Sequence, residues 1–91
     1  MTSARVIPAQ VRAARALLGW TIAQLSEASG VSTRTLKYFE DENSDKAPRE
    51  TTLEKIVAAL NEVGIEFIGT PDDGPGIRLH RPAKQQQDKV S

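Results

Sequence analysis

The chain has 91 residues, 38% of them hydrophobic and 26% charged, with no cysteine and a single histidine, His80. This length and composition fit one globular domain without a membrane span, and the missing thiols exclude disulfides and thiolate metal sites. Twelve cations balance twelve anions, so the formal net charge is zero. The N-terminus has no apolar export signal, which leads us to expect a cytoplasmic protein.

The charges lie in opposed blocks that cancel in the total. Residues 1–38 carry five cations and one anion, whereas residues 39–63 carry three cations and seven anions. Residues 64–91 are balanced, with four of each. A domain with this polarity can present a basic face to phosphates and keep an acidic surface elsewhere. On charge alone, a mixed surface without a partner explains the pattern equally well.

The chain begins with a predicted flexible arm over residues 1–6, followed by helix one. Pro8 suits the first turn of this helix, and Gly19 is expected to end it. The apolar residues between them recur at helical spacing: Val11, Ala14, Leu17 and Leu18.

Two shorter helices are predicted next. Thr21 can cap helix two while Gln24 reaches back to the backbone, and Gly30 follows its end, where a positive φ is needed. Ser32 can cap helix three, which is expected to end near Glu42 before a polar loop.

The last part of the chain changes from a helical to an alternating pattern. Helix four is predicted over residues 50–63, from the stripe Leu53, Ile56, Val57 and Leu60. Residues 65–68 and 77–80 have the alternation of strands, and residues 69–76 between them are rich in turn formers, which indicates a β-hairpin. Residues 82–91 are polar and aperiodic, so we expect a disordered tail.

The spacing of helices two and three is that of a helix–turn–helix. Helix two is short, the turn is Gly30–Ser32, and helix three follows at once. This arrangement places the second helix in the major groove of DNA. Arg34 and Lys37 can donate to guanine, and the hydroxyl of Tyr38 can also bond a phosphate. The predicted base-reading residues are Thr33, Arg34, Thr35, Lys37 and Tyr38.

Several short motifs between Gln10 and Leu60 carry a resemblance to a known family. They are Arg15-x-x-x-Gly19-x-Thr21-x-x-Gln24-Leu25, Gly30-Val31-Ser32, Tyr38-Phe39-Glu40 and Thr52-Leu53-Glu54-Lys55-Ile56. With them the chain resembles the Cro/repressor-type (XRE-family) helix–turn–helix domain. The resemblance implies a mainly α fold, with a four-helix lambda-repressor-like domain over residues 7–63 and a hairpin over residues 64–81.

By position, the resemblance also implies roles for individual residues. Thr33, Arg34, Thr35 and Lys37 match the family's base-reading face, and Arg15 and Glu40 match an ion pair between helices one and three. Thr21 and the amide of Ile22 match its phosphate-positioning end of helix two. The full set of expected phosphate contacts is Thr21, Ile22, Arg12, Asn43, Ser44 and Lys46.

The chain departs from the family pattern near these contacts. Ile22 stands where many members carry glutamine, which removes one donor to phosphate. Asp41 and Glu42 bring negative charge to the start of the loop, where it disfavours contact with phosphates. A hairpin with an exposed edge can pair with its twin across a two-fold axis. The expected dimerisation residues are Ile65, Phe67, Ile77 and Leu79.

The function favoured by these observations is sequence-specific binding of double-stranded DNA by a small regulator. A homodimeric repressor on a pseudo-palindromic operator is the simplest form. Two alternatives remain: an antitoxin that binds both DNA and a toxin, and a protein-interaction module, such as an anti-activator, that has lost DNA binding. We expect no enzymatic activity, cofactor or metal, because no residues frame an acid, a base or a ligand set.

Overall fold

The computed structural model of the chain describes residues 6–41 and 49–80. These residues form four helices and one two-stranded antiparallel sheet, which confirms the predicted fold class. In chain order the elements are α1 (Pro8–Leu18), α2 (Ile22–Ser29), α3 (Thr33–Glu40), α4 (Glu50–Glu62), β1 (Ile65–Thr70) and β2 (Asp73–Leu79). None of these helices is long and apolar enough to cross a bilayer. The predicted tail and nearly all of the predicted arm lie outside the described residues.

The ends of α2 follow from its own sequence. The Thr21 hydroxyl accepts a hydrogen bond from the Gln24 amide at 3.1 Å, and the Gln24 side chain accepts one from the Thr21 amide at 2.8 Å. This reciprocal pair is the predicted capping box, and it supplies partners for two amides at the helix start. Gly30 ends the helix with a φ of 79°, a left-handed conformation that glycine adopts without a Cβ penalty.

The end of α3 differs from the prediction. The helix ends at Glu40, whereas the sequence placed its end near Glu42. Asp41 has an extended backbone, and the Arg12 side chain of α1 donates to the Glu40 carbonyl at 2.6 Å. A carbonyl at a helix end needs a partner from outside the helix, and here a long-range cation supplies it.

The core lies between the helices and one face of the sheet. Its buried residues are Val11, Ala14, Leu25, Val31, Leu36, Phe39, Ile56, Leu60 and Ile65. Leu17, one of the apolar residues that recur at helical spacing in α1, is 46% exposed. Leu17 lies about 100° around the helix from Leu18, which packs on the core, so it falls outside the inward face of α1.

The strands of the hairpin are longer than predicted. The strands pair in register from Ile65 opposite Leu79 to Ile68 opposite Gly76, and again at Thr70 opposite Asp73. Only residues 71–72 form the turn, so the predicted turn over residues 69–76 was too long. A bulge between the two stretches of pairing lets the strands continue through this glycine-rich segment.

One buried polar side chain joins α1 to the hairpin. Gln10 is 4% exposed, and its Nε2 donates to the carbonyls of Gly76 at 2.8 Å and Ile68 at 3.3 Å. Its Oε1 accepts from the Ile7 amide at 3.0 Å, so the same residue also closes the first turn of α1. The side-chain amide therefore has partners for both its donor and its acceptor, as buried polar groups require.

Candidate nucleic-acid interface

The corner between α2 and α3 is held by local hydrogen bonds and by buried side chains. The Gly30 amide donates to the Ser26 carbonyl at 2.9 Å, and the Val31 amide donates to the Ser29 hydroxyl at 3.1 Å. Val31 is buried at the corner, together with one leucine from each helix, Leu25 and Leu36. The angle between the two helices is therefore set by packing as well as by the turn.

The residues predicted to read bases all lie on exposed positions of α3. Leu36, Phe39 and Glu40 occupy the opposite, buried side of the helix. Arg34 and Tyr38 are four positions apart, so their side chains are neighbours on the face directed away from the core. Tyr38 is 55% exposed, so its ring and hydroxyl are accessible to a partner.

The start of α3 combines a cap with exposed hydroxyls. The Ser32 hydroxyl accepts from the Thr35 amide at 3.1 Å and donates to the Thr35 hydroxyl at 3.0 Å. The Thr35 side chain is thereby oriented before any partner binds. Thr33 and Lys37 are exposed and four positions apart on the neighbouring part of the surface.

The first turn of α2 presents backbone amide donors. Gln24 and Leu25 have their amides bonded to Thr21, but the amides of Ile22 and Ala23 have no partner within the described part of the chain. The first turn of α2 contains no acidic residue. The Ile22 side chain packs against the core, so the residue offers its amide and not its side chain.

Arg15 and Glu40 form a bidentate ion pair behind this surface. Arg15 Nε lies 2.9 Å from Glu40 Oε2, and Arg15 Nη2 lies 2.7 Å from Glu40 Oε1. The side chains are 20% and 6% exposed, and Arg15 Nη1 also donates to the Trp20 carbonyl at 3.0 Å. The hydrogen bonds that Arg15 donates to Glu40 raise the pKa of Arg15 above its ordinary value. The pair connects α1, the α1–α2 junction and α3.

Arg12 lies in the same region, but it is engaged within the chain. Its guanidinium donates to the Glu40 carbonyl at the end of α3. This helix-capping contact is a role that the sequence analysis missed, because residues 28 positions apart have no spacing signal. Its contact with phosphate remains a prediction. The expected phosphate contacts of Asn43, Ser44 and Lys46 lie outside the described residues.

The residues expected to dimerise face the core of their own chain. Ile65 is 2% exposed, and Phe67, Ile77 and Leu79 pack partly buried against the same cluster. The Ile65 side chain is therefore part of this chain's core and is not available to a partner. The sequence alternation located the apolar face of the hairpin correctly, but it could not tell whether a partner or the helices cover that face.

The other face of the hairpin is polar. Glu66 Oε1 lies 2.7 Å from His80 Nε2 and 3.1 Å from Arg78 Nη1, and all three side chains are about half exposed or more. The hydrogen bond from His80 lowers the pKa of Glu66, and the charge of Arg78 acts in the same direction.

Comparison with known proteins identifies the family of this chain. A family model described as helix-turn-helix matches residues 11–68, which is more than half of the chain. The match begins in α1 and ends in β1, so it includes the α2–α3 corner and the exposed face of α3. No curated protein matches the chain.

Proposed function

This chain belongs to the helix–turn–helix family of DNA-binding regulators, of the XRE type, and on that premise we propose that it is a homodimeric repressor acting on a pseudo-palindromic operator. The observation that carries the proposal is the exposed face of α3, where Arg34 and Tyr38 lie opposite the buried Leu36 and Phe39. The face is polar, and within the described part of the chain the side chains of Arg34 and Tyr38 have no hydrogen-bond partner.

Base reading follows from the chemistry of this face. The major groove of B-DNA accepts a helix, and each base pair presents a distinct pattern of donors and acceptors there. Arg34 donates to O6 and N7 of a guanine, and Lys37 provides a second cation on the flank of α3. The methyl groups of Thr33 and Thr35 contact thymine methyls, while their hydroxyls bond bases or phosphates.

Phosphate binding positions α3 in the groove. The unbonded amides of Ile22 and Ala23 and the positive end of the α2 dipole both favour an anion at this point. A phosphate there replaces the side-chain donor that the family often has at the position of Ile22. A phosphate contact does not depend on the DNA sequence. It therefore sets the register of the protein on DNA but contributes no base specificity.

Dimerisation and repression complete the proposal. Two copies related by a two-fold axis read half-sites about one helical turn (~34 Å) apart, which gives a pseudo-palindromic site. Occupancy of such a site blocks a promoter in the cytoplasm.

The decisive experiment is selection of bound duplexes from a random DNA library at about 150 mM salt, because the phosphate contribution falls steeply with salt. The wild type is run beside Arg34→Ala and the matched control Lys55→Ala, which removes an exposed cation from α4. We expect the wild type and the control to select a palindrome. Arg34→Ala should lose the base preference at one position of each half-site. No enrichment, with a stable complex to another protein, would favour the toxin or activator partner instead.

A further inference from the structure

The start of α3 uses its third helical residue differently from the starts of α1 and α2. In α1 and α2 this residue is a glutamine, whose side-chain oxygen accepts from the amide of the capping residue, at 3.0 Å from Ile7 and 2.8 Å from Thr21. In α3 the third helical residue is Thr35, and its hydroxyl lies 3.0 Å from the hydroxyl of Ser32. Thr35 therefore does not close the start of its helix in the way that the two glutamines do.

The two hydrogen bonds between Ser32 and Thr35 run in one direction. Ser32 Oγ accepts from the Thr35 amide at 3.1 Å, and it donates its proton to Thr35 Oγ1. An oxygen that accepts a hydrogen bond becomes a better donor, so the two bonds strengthen each other in this direction. Thr35 Oγ1 is therefore an acceptor toward Ser32, and the proton of the Thr35 hydroxyl takes part in neither bond.

This arrangement leaves the Thr35 hydroxyl as a donor toward solvent. Thr35 is exposed, and within residues 6–41 and 49–80 its hydroxyl proton has no acceptor. A threonine hydroxyl can ordinarily turn to donate or to accept, but here Ser32 occupies it as an acceptor and fixes its orientation. The positive end of the α3 dipole at this first turn also favours an electron-rich partner.

We propose that the Thr35 hydroxyl donates to an acceptor on a base edge in the major groove, and that Ser32 is the positioning residue that makes it a donor. This inference deepens the proposed function, on which it rests. The acceptors in the groove are N7 and O6 of guanine, N7 of adenine and O4 of thymine, whereas cytosine presents only its amino group, a donor. The base that faces Thr35 is therefore not a cytosine.

Substitutions of Ser32 can separate its capping bond from its donor bond. Asparagine caps a helix about as well as serine, and its side-chain oxygen accepts from an amide but carries no proton. In Ser32→Asn the Thr35 hydroxyl can therefore turn toward the cap and present its lone pairs to the groove, where cytosine becomes acceptable. Ser32→Thr is the conservative variant, because it keeps a hydroxyl with both bonds. Thr35→Val removes the hydroxyl and identifies the base position that it reads.

The measurement is selection from a random DNA library with the full chain at about 150 mM salt, followed by fluorescence anisotropy on the best site. Circular dichroism verifies that each variant is folded. We expect Ser32→Asn and Thr35→Val to relax the preference at the same position and to weaken binding to the best site about fivefold. Ser32→Thr should restore the preference. Ser32→Asn should add nothing to Thr35→Val in the double variant, because it acts through the Thr35 hydroxyl.

A folded Ser32→Asn with the wild-type preference would overturn this inference and leave the proposed function intact. The same holds if Ser32→Asn has an equal effect with and without the Thr35 hydroxyl, since residue 32 would then act on DNA directly. Equal weakening on every sequence would place the acceptor on a phosphate and overturn base reading by this hydroxyl. A wild type that selects no DNA would contradict the proposed function itself, and this inference with it.

Discussion

Arg15 in α1 holds the carboxylate of Glu40 in α3 through two parallel hydrogen bonds of 2.7 and 2.9 Å, across 25 positions of sequence. Bidentate pairs of this type specify geometry as well as energy, because the planar guanidinium fixes the carboxylate in one orientation. Glu40 lies on the buried side of the helix that carries Arg34. The pair therefore sets the orientation of the exposed face of α3 relative to α1.

The first prediction concerns the loss of this pair. Glu40→Ala leaves the mostly buried guanidinium of Arg15 with one partner among the described residues, the Trp20 carbonyl. We expect the free energy of unfolding to fall by about 2–4 kcal/mol. Glu54→Ala, which removes an exposed carboxylate from α4, is the control and should change stability by less than about 0.5 kcal/mol. Urea denaturation measures both. Equal effects of the two substitutions would show that the pair contributes nothing specific.

The second prediction separates stability from DNA binding at the start of α2. Ala23→Asp adds an anion to the first turn, where it interacts favourably with the helix dipole and raises stability by about 0.3–1 kcal/mol. The same anion repels a phosphate at the exposed amides of Ile22 and Ala23. We therefore expect weaker binding to every DNA sequence.

Ala28→Asp provides the control for this prediction, since it makes the same change at an exposed position near the other end of α2. It should lower stability slightly and affect DNA binding less. Thermal unfolding and fluorescence anisotropy at fixed salt measure the two quantities. Equal losses of affinity from both substitutions would contradict a phosphate at the start of the helix.

The third prediction compares two glutamines at the same position of two helices. Gln10 and Gln24 both accept a hydrogen bond from the backbone at the start of their helix, at 3.0 and 2.8 Å. Only Gln10 also donates, to carbonyls of both strands of the hairpin. A carboxylate reproduces the acceptor but not the donor.

We therefore expect Gln24→Glu to leave stability within about 0.5 kcal/mol of the wild type, as a capping-box glutamate should. Gln10→Glu should lower stability by about 2–3 kcal/mol near neutral pH, because a buried carboxylate then faces two carbonyls. Chemical denaturation of the two variants gives the comparison. If Gln10→Glu proved as mild as Gln24→Glu, the link between α1 and the hairpin would not be a source of stability.

The fourth prediction concerns the acid side of the pH range. The hydrogen bond from His80 lowers the pKa of Glu66 below its ordinary value, so the ionised carboxylate is favoured in the folded chain. The resulting stabilisation is present above the ordinary pKa of a glutamate and is lost as the pH falls through the lowered value. The side chains are exposed, so the effect on overall stability is small.

NMR titration of the Glu66 carboxyl carbon provides the measurement. We expect a midpoint below the ordinary value of a glutamate, and a return toward that value in His80→Ala. Arg78→Gln should move the midpoint less, since the bond from His80 is the larger cause. A midpoint unchanged by His80→Ala would contradict the assignment.

The elements that could be predicted from the sequence are those whose signals are local. Thr21 and Gln24 cap α2 from three positions apart, and Gly30 ends the same helix with its own backbone conformation. The exposed face of α3 also follows from its periodicity, because Leu36 and Phe39 mark the buried side. The ion pair between Arg15 and Glu40 was expected only through a family resemblance, since nothing in their spacing brings them together.

The tertiary structure alone decided the contacts that cross large distances in the chain. The Gln10 side chain donates to the Gly76 carbonyl, 66 positions away. The Arg12 guanidinium donates to the Glu40 carbonyl at the end of α3, 28 positions away. The same packing placed Ile65 in the core and Leu17 at the surface. A helix or strand pattern shows which side of an element is apolar, but the partner of that side depends on how the elements assemble. The starts of α2 and α3 could therefore be predicted because their capping hydrogen bonds are local, whereas the neighbours of each side chain depend on packing.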